Sequence, residues 1–150
     1  PIATASSNCE GNFFIISYIL TMISYFVQKY KYLASNKEIG QIGEDAAVLF
    51  LEQLGYNILE RNWRFSRAEI DIIAKDHDIL VFVEVKTRSY NYYGEPEDFI
   101  NERKEQLLSD AASQYMNLIK YDWEIRFDII SILILKNQEL QIKHFKDAWF

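Results

Sequence analysis

The segment Ile79–Arg88, with the sequence ILVFVEVKTR, is the strongest indication of fold in this chain. It opens with apolar, largely β-branched or aromatic side chains, and its length suits a buried β-strand. Glu84 and Lys86 interrupt the apolar run. Burying a carboxylate and an ammonium group costs free energy unless each has a partner or a bound metal ion. The segment therefore predicts a buried strand in which each of the two charged side chains has a partner or a bound metal ion.

Upstream of this strand the pattern predicts a helix and two further strands. Apolar residues recur at helical spacing from Asn36 onward, and Gly55 is expected to end that helix. Residues 56–65 and 68–74 have the composition of strands, and residues 75–78 form the turn that leads into residue 79. These three strands predict an antiparallel β-meander.

Downstream, Gly94, Glu95 and Pro96 mark a loop, and a long helix follows. Its predicted apolar face consists of Phe99, Leu107, Leu108, Ala111, Ala112, Tyr115 and Leu118. Residues 123–135 predict a fourth, fully apolar strand, and residues 140–145 predict an edge strand. The order α-βββ-α-β-β, with a helix crossing over between strands, predicts an α/β fold with a mixed β-sheet flanked by helices.

Composition limits the classes of function. A chain of 150 residues with 49% apolar content suits one domain of ordinary size. Its formal net charge of −6 argues against coating nucleic acid by bulk electrostatics, so any such contact must be local. Cys9 is the sole cysteine, which excludes an internal disulfide and favours a reducing, cytoplasmic location.

The first 35 residues differ from the rest and are expected to form an N-terminal extension to a domain at residues 36–150. The apolar run at residues 13–27 is shorter than the roughly 20 residues that span a bilayer, and no positive charge precedes it as in a secretory signal. We expect Met22 to be the physiological start, so that residues 1–21 are not native. An amphipathic helix packed on the domain and a membrane anchor are the alternatives.

Three charged side chains are predicted to converge. Side chains alternate faces along a strand, so Glu84 and Lys86 share a face, as do Glu69 and Asp71 on the preceding strand. Partners on neighbouring strands lie about 5 Å apart, which lets Asp71 approach Glu84. Two such carboxylates suit Mg²⁺ or Mn²⁺, and the ammonium group of Lys86 could act on an attacking water at a phosphate. The competing interpretation is a cross-strand salt-bridge ladder.

A string of short motifs resembles one known family, the YraN family, over about residues 38–150. The motifs are Gly40-x-x-Gly43-Glu44-x-x-Ala47, Gly55-Tyr56, Arg61-Asn62, residues 69–74 (EIDIIA), residues 82–88 (FVEVKTR), Lys104, Ala111-Ala112, Arg126-Phe127-Asp128 and residues 144–148 (HFKDA). That family is placed by similarity in the PD-(D/E)xK nuclease superfamily, beside archaeal Holliday-junction resolvases. The resemblance implies a restriction-endonuclease-like core.

The resemblance also implies roles for individual residues. Asp71 and Glu84 correspond to metal ligands, with the backbone carbonyl of Val85 as a further ligand; Lys86 corresponds to the catalytic lysine and Glu44 to an acid on the first helix. It implies a Mg²⁺- or Mn²⁺-dependent endonuclease that hydrolyses DNA, with branched or damaged DNA as candidate substrates, and it allows a homodimer.

Two positions depart from the usual pattern. Ala68 stands where the family usually has glycine, and Ile70 stands where the superfamily has proline. Neither departure removes a ligand. Ala68 puts in doubt any turn at that position that needs a positive φ angle.

Weaker signals surround the predicted site. Arg61, Arg64, Arg67 and Arg88 are candidates for phosphate contacts, with a solvated hairpin as the equal alternative. Lys104 could approach phosphate or pair with Glu84. Packing is expected for Tyr90, Tyr92 and Tyr93 rather than base stacking, a structural role for His77 and His144, and a buried ion pair for Asp128.

The leading hypothesis is thus a metal-dependent nuclease with Glu44, Asp71, Glu84 and Lys86 in the site. Two rivals are kept: a nucleic-acid-binding module with the same fold and no turnover, and a structural protein whose acidic pocket is an ion-pair network. No membrane association is expected.

Overall fold

The computed structural model describes residues 36–89, 102–137 and 139–148. Helix α1 spans Asn36–Gln53, and strands β1, β2 and β3 span Asn57–Phe65, Ala68–Asp76 and Ile79–Ser89. Helix α2 spans Glu102–Ile119, and strands β4 and β5 span Ile125–Ile134 and Leu140–Phe145. The predicted order α-βββ-α-β-β is confirmed.

The five strands form one mixed sheet in the order β1-β2-β3-β4-β5. Strands β3 and β4 are parallel, while the other three neighbouring pairs are antiparallel. A parallel pair needs a crossover connection, and α2 lies between these two strands in the chain. The antiparallel meander β1–β3 therefore joins the rest of the sheet through the pair that contains Glu84 and Lys86.

Each helix covers one face of the sheet with its own apolar cluster. The α1 cluster includes Ala47, Leu51, Ile72, Val83 and Ile130. The α2 cluster includes Ile73, Phe82, Leu108, Ala112, Tyr115 and Phe127. Fully burying one large aliphatic or aromatic side chain stabilises a fold by about 1.5–3 kcal/mol. The side chains of these two apolar clusters therefore stabilise the packing of both helices on the sheet.

Helix α1 ends as its sequence predicts. Gly55 has a φ angle of +88°, and the N–H of Tyr56 donates to the carbonyl of Leu51 at 3.0 Å. This backbone arrangement satisfies carbonyls that the last helical turn would otherwise leave unpaired, and it favours glycine at the turn.

Three details of the prediction are wrong. Leu118, predicted to lie on the apolar face of the second helix, is 62% exposed near the end of α2. Strand β4 begins at Ile125, which leaves Trp123 77% exposed before it. The strand is also not fully apolar, since Asp128 and Ser131 are buried within it.

Several predictions concern parts of the chain outside the described residues. These are the extension at residues 1–35 with its start at Met22, the loop around Gly94, and the tyrosines at positions 90, 92 and 93. Phe99 of the second helix lies outside them too. No helix in the described ranges is both long and apolar enough to cross a bilayer.

Candidate functional site

The candidate site lies where strands β2 and β3 stop pairing. Their antiparallel register runs from Asp76 opposite Ile79 to Ile72 opposite Val83, so Asp71 and Glu84 follow directly on the two strands. Beyond that point a side chain replaces the backbone partner, because the N–H of Val85 donates to Oδ2 of Asp71 at 2.6 Å. The predicted approach of Asp71 to Glu84 is consistent with this register.

Strand β2 changes faces at Asp71. Ile70 packs in the α2 cluster and Ile72 in the α1 cluster, although residues two apart in a regular strand share a face. On β1, Asn62 lies between the residues paired with Ile70 and Ile72 and has a φ angle of +54°. The prediction assumed that alternation along the strand sets the direction of the Asp71 side chain. The hydrogen bond from the Val85 N–H sets it instead.

Glu84 brings two lysines together. Its side chain is only 6% exposed, and its Oε1 accepts hydrogen bonds from Nζ of Lys86 and from Nζ of Lys104. Lys86 stands two residues along β3 on the same face, whereas Lys104 reaches across from the first turn of α2. The predicted pairing of Lys104 with Glu84, one of its two alternatives, is confirmed.

Glu44 lies on α1, whose approach to β3 depends on its neighbour Gly43. A Cβ atom placed on Gly43 would lie 1.7 Å from Oγ1 of Thr87, so only glycine allows the helix this close. Among the described residues, Oε2 of Glu44 is buried without a hydrogen-bond partner. A buried oxygen left in this state costs free energy and indicates room for a ligand, a water or an ion.

Two acids of the site, Asp71 and Glu44, have raised pKa values. Burial, the nearby charge of Glu84 and then that of Glu44 raise the pKa of Asp71 to about 7, although the Val85 hydrogen bond and Lys86 oppose the shift. Burial likewise raises the pKa of Glu44, against a hydrogen bond from the Asn62 side chain. The site therefore carries more carboxylate than its surroundings can stabilise as anions.

The two lysines respond to the site in opposite directions. Burial lowers the pKa of Lys86, and the neighbouring Lys104 adds to that effect. Burial also opposes the charge of Lys104, but Glu84 outweighs it and raises the pKa of Lys104. Lys104 therefore holds its proton more strongly than Lys86 does.

The donor set fits a hard divalent cation in part. Asp71 and Glu84 supply carboxylate oxygens and Val85 a backbone carbonyl, which are the ligand types that Mg²⁺ and Mn²⁺ prefer. Within the described ranges, however, no three His, Cys, Asp or Glu side chains are grouped to hold a metal ion. An ion at Asp71 and Glu84 would thus depend on the backbone carbonyl and on water, and Mg²⁺ commonly keeps several waters.

The candidate phosphate-binding arginines do not form one cluster around these acids. Arg61 pairs with Asp45 of α1, and Arg64 pairs with Glu69 at 3.0 Å while most of its side chain is exposed. Arg67 is exposed in the turn between β1 and β2, and Arg88 is half-buried near the end of β3. The β1–β2 hairpin is thus a charged, solvated surface that adjoins the site at Glu69.

A second buried polar cluster lies around Asp128, which is 0% exposed. Arg126 donates to both of its oxygens, at 2.8 and 3.0 Å, and the Asp147 N–H donates to Oδ1 at 3.0 Å. His144 Nε2 lies 2.8 Å from Oδ2. Burial would raise the pKa of Asp128, but the hydrogen bonds from His144 and Arg126 lower it instead. The buried ion pair expected for Asp128 is confirmed, and His144 lies in contact with the same carboxylate.

This second cluster, which we call the Asp128 cluster, extends to residues that sequence reasoning missed. Arg126 also donates to Asp76 and to the Tyr56 hydroxyl, at 3.0 and 2.8 Å. The Arg-x-Asp spacing on a buried strand signalled the first pair. The remaining contacts join β2, β4 and the residues after β5, so they depend on the sheet order.

Comparison with known proteins gives the family. The model of UPF0102, described as an uncharacterised protein family, matches residues 43–132, a range that includes Glu44, Asp71, Glu84 and Lys86. A UPF0102 protein of Flavobacterium psychrophilum is 48% identical over 118 residues, which cover 79% of this chain and 98% of that protein.

Proteins of other bacteria are also similar to this chain. A UPF0102 protein of Bacteroides thetaiotaomicron is 42% identical over 118 residues, covering 79% of this chain and 97% of its own. One from Clostridium perfringens is 41% identical over 116 residues, covering 76% and 95%. The resemblance to the YraN family is thereby confirmed, and the chain belongs to the uncharacterised protein family UPF0102.

Proposed function

We propose that this protein is a metal-dependent nuclease that hydrolyses phosphodiester bonds of DNA, with branched or damaged DNA as the candidate substrates. One observation carries the proposal: the half-buried Asp71 and the buried Glu84 lie side by side where β2 and β3 stop pairing, close enough for the charge of Glu84 to raise the pKa of Asp71, and Lys86 pairs with Glu84. A raised Asp71 pKa of about 7 is the expected state of such a pair without a cation between its members.

In this proposal Asp71, Glu84 and the carbonyl of Val85 hold Mg²⁺ or Mn²⁺, which supplies Lewis-acid stabilisation of charge on the phosphate. The Val85 N–H fixes the direction of the Asp71 carboxylate. Lys86 holds its ammonium where it can orient a water or stabilise developing negative charge. Glu44 contributes a further acid whose buried Oε2 lacks a partner among the described residues.

Nucleic acid would meet the site from the β1–β2 hairpin. Arg61, Arg64 and Arg67 are exposed cations there, and Arg88 and Lys104 complete the set of proposed phosphate contacts. Such contacts position a substrate without reading its sequence. A local basic surface of this kind is compatible with a net charge of −6 for the chain.

The test is cleavage of defined DNAs. The full chain is incubated with Mg²⁺ or Mn²⁺ and labelled duplex, single-stranded, flap and four-way-junction DNA, beside Asp71→Ala and the surface control Lys120→Ala. The proposal expects metal-dependent products from the wild type and the control and none from Asp71→Ala. Equal background from all three proteins would contradict it.

A second candidate function is a structural ion-pair network, which one observation favours. Both Lys86 and Lys104 already pair with Glu84, so the charge of that carboxylate is balanced inside the protein. In a pure network, Glu84→Gln and Lys86→Met would cost similar stability and neither would change metal affinity. A nucleic-acid-binding module without turnover remains the third candidate, and binding without products would identify it.

A further inference from the structure

The proposed metal chemistry uses one ammonium beside Glu84 and gives no role to the pairing of a second ammonium with the same carboxylate. Lys86 and Lys104 donate to the same oxygen, Oε1, from different elements of the fold. Two like charges at one carboxylate oxygen repel each other. Each also partly neutralises the carboxylate, which therefore attracts a further cation less strongly. A chemistry that needs one lysine at the site leaves the other unexplained.

The two lysines differ in how freely they can leave Glu84. Lys86 is attached to β3 two residues from Glu84, and its side chain is 21% exposed. Lys104 is attached to the first turn of α2 and is 35% exposed, so its ammonium is nearer to solvent. A lysine stem can turn its strongly hydrated ammonium outward while the stem keeps its apolar contacts.

We propose that Lys104 is an internal cation that neutralises Glu84 in the metal-free protein and is displaced from Oε1 when a divalent metal ion binds. This inference rests on the proposed metal site and describes how occupancy of that site is regulated. The ion brings the charge that Lys104 supplied, and Lys86 stays at the site. Lys104 therefore sets the metal concentration at which the site fills, and it protects the fold while the site is empty.

Metal affinity is the first part of the test. Mn²⁺ is titrated calorimetrically into the wild type, Lys104→Met and Lys120→Met, because methionine keeps an apolar stem without the charge. Lys104→Met should bind Mn²⁺ about tenfold more tightly, the scale expected when a partly screened unit charge leaves a site. The exposed Lys120 should have no effect. Unchanged or weaker affinity of Lys104→Met would overturn the inference.

Displacement itself is measured by amine labelling of the wild type. Limited acetylation with and without saturating Mn²⁺, resolved by peptide mass spectrometry, should show a several-fold rise in the reactivity of Lys104 and none for Lys86 or Lys120. Metal binding with unchanged Lys104 reactivity would overturn the inference alone. Failure of the wild type and of Lys104→Met to bind Mn²⁺ would overturn the proposed metal site as well, which separates the two failures.

Discussion

Two carboxylates of the same sheet, the half-buried Asp71 and the fully buried Asp128, have opposite surroundings. Asp128 receives hydrogen bonds from Arg126 and a backbone N–H and contacts His144, and its pKa is lowered. Asp71 receives the Val85 N–H while facing the charges of Glu84 and Glu44, and its pKa is raised. A buried acid therefore indicates a functional site only when its partners leave its charge uncompensated.

The largest effect on stability is expected from replacing Asp128, the acid whose charge is compensated. Asp128→Ala removes the partner of Arg126 and His144 and should destabilise the protein by about 3–5 kcal/mol, the usual cost of leaving a buried charge unpaired. Chemical denaturation of the variant beside Asp71→Ala measures the difference. Similar losses for the two variants would mean that the two acids are not differently compensated.

A substitution at Gly43 tests how closely α1, which carries Glu44, packs on the sheet near Asp71. Gly43→Ala should destabilise by about 1–3 kcal/mol because the new methyl group collides with Thr87. Gly40→Ala is the matched control on the same helix: nothing lies within 4 Å of its added Cβ, and alanine favours a helix, so it should stabilise slightly. Thermal unfolding of both variants checks this, and equal shifts would exclude a close contact at Gly43.

The contributions of Asp71 and Asp128 to stability should change with pH in opposite directions. The folded-state pKa of Asp71 is about 7, above its ordinary value of 3.8, so its contribution to stability is complete below about pH 3.8 and is lost as the pH rises through 7. Asp128 has a lowered pKa, so its contribution is present above the ordinary value and is lost as the pH falls.

Asp71→Asn should therefore gain stability relative to the wild type between pH 4 and 8, by on the order of 2 kcal/mol at the upper end. Urea denaturation at several pH values, with the metal ion chelated, measures the difference between the two proteins. A difference that stays constant over this range would show that Asp71 is not titrating there.

The sequence allowed much of the fold to be predicted because its apolar periodicity changes cleanly between helix and strand. The buried run that contains Glu84 and Lys86 identified the central strand of the sheet, and the helix after it required a parallel crossover. The start of β4 was harder, since Trp123 is apolar yet exposed. Hydrophobicity alone does not separate such a residue from the strand that follows it.

The site was predicted as a set of residues and less well as a geometry. The carboxylate spacing identified Asp71 and Glu84, but the face change at Asp71 accompanies the positive φ angle of Asn62 on another strand. The contact between His144 and Asp128 likewise needs the pairing of β4 with β5, in which Ile130 faces His144. Contacts between elements depend on register, which one strand's sequence does not determine.

The central claim is that the charge of Asp71 is left uncompensated in the metal-free protein because Asp71 binds a divalent metal ion together with Glu84. Calorimetric titration of Mn²⁺ into the wild type and Asp71→Asn, with Asp76→Asn as a control in the Asp128 cluster, tests this most directly. The account predicts one site in the wild type and the control and its loss in Asp71→Asn. No binding at millimolar Mn²⁺, or equal binding by all three proteins, would contradict it.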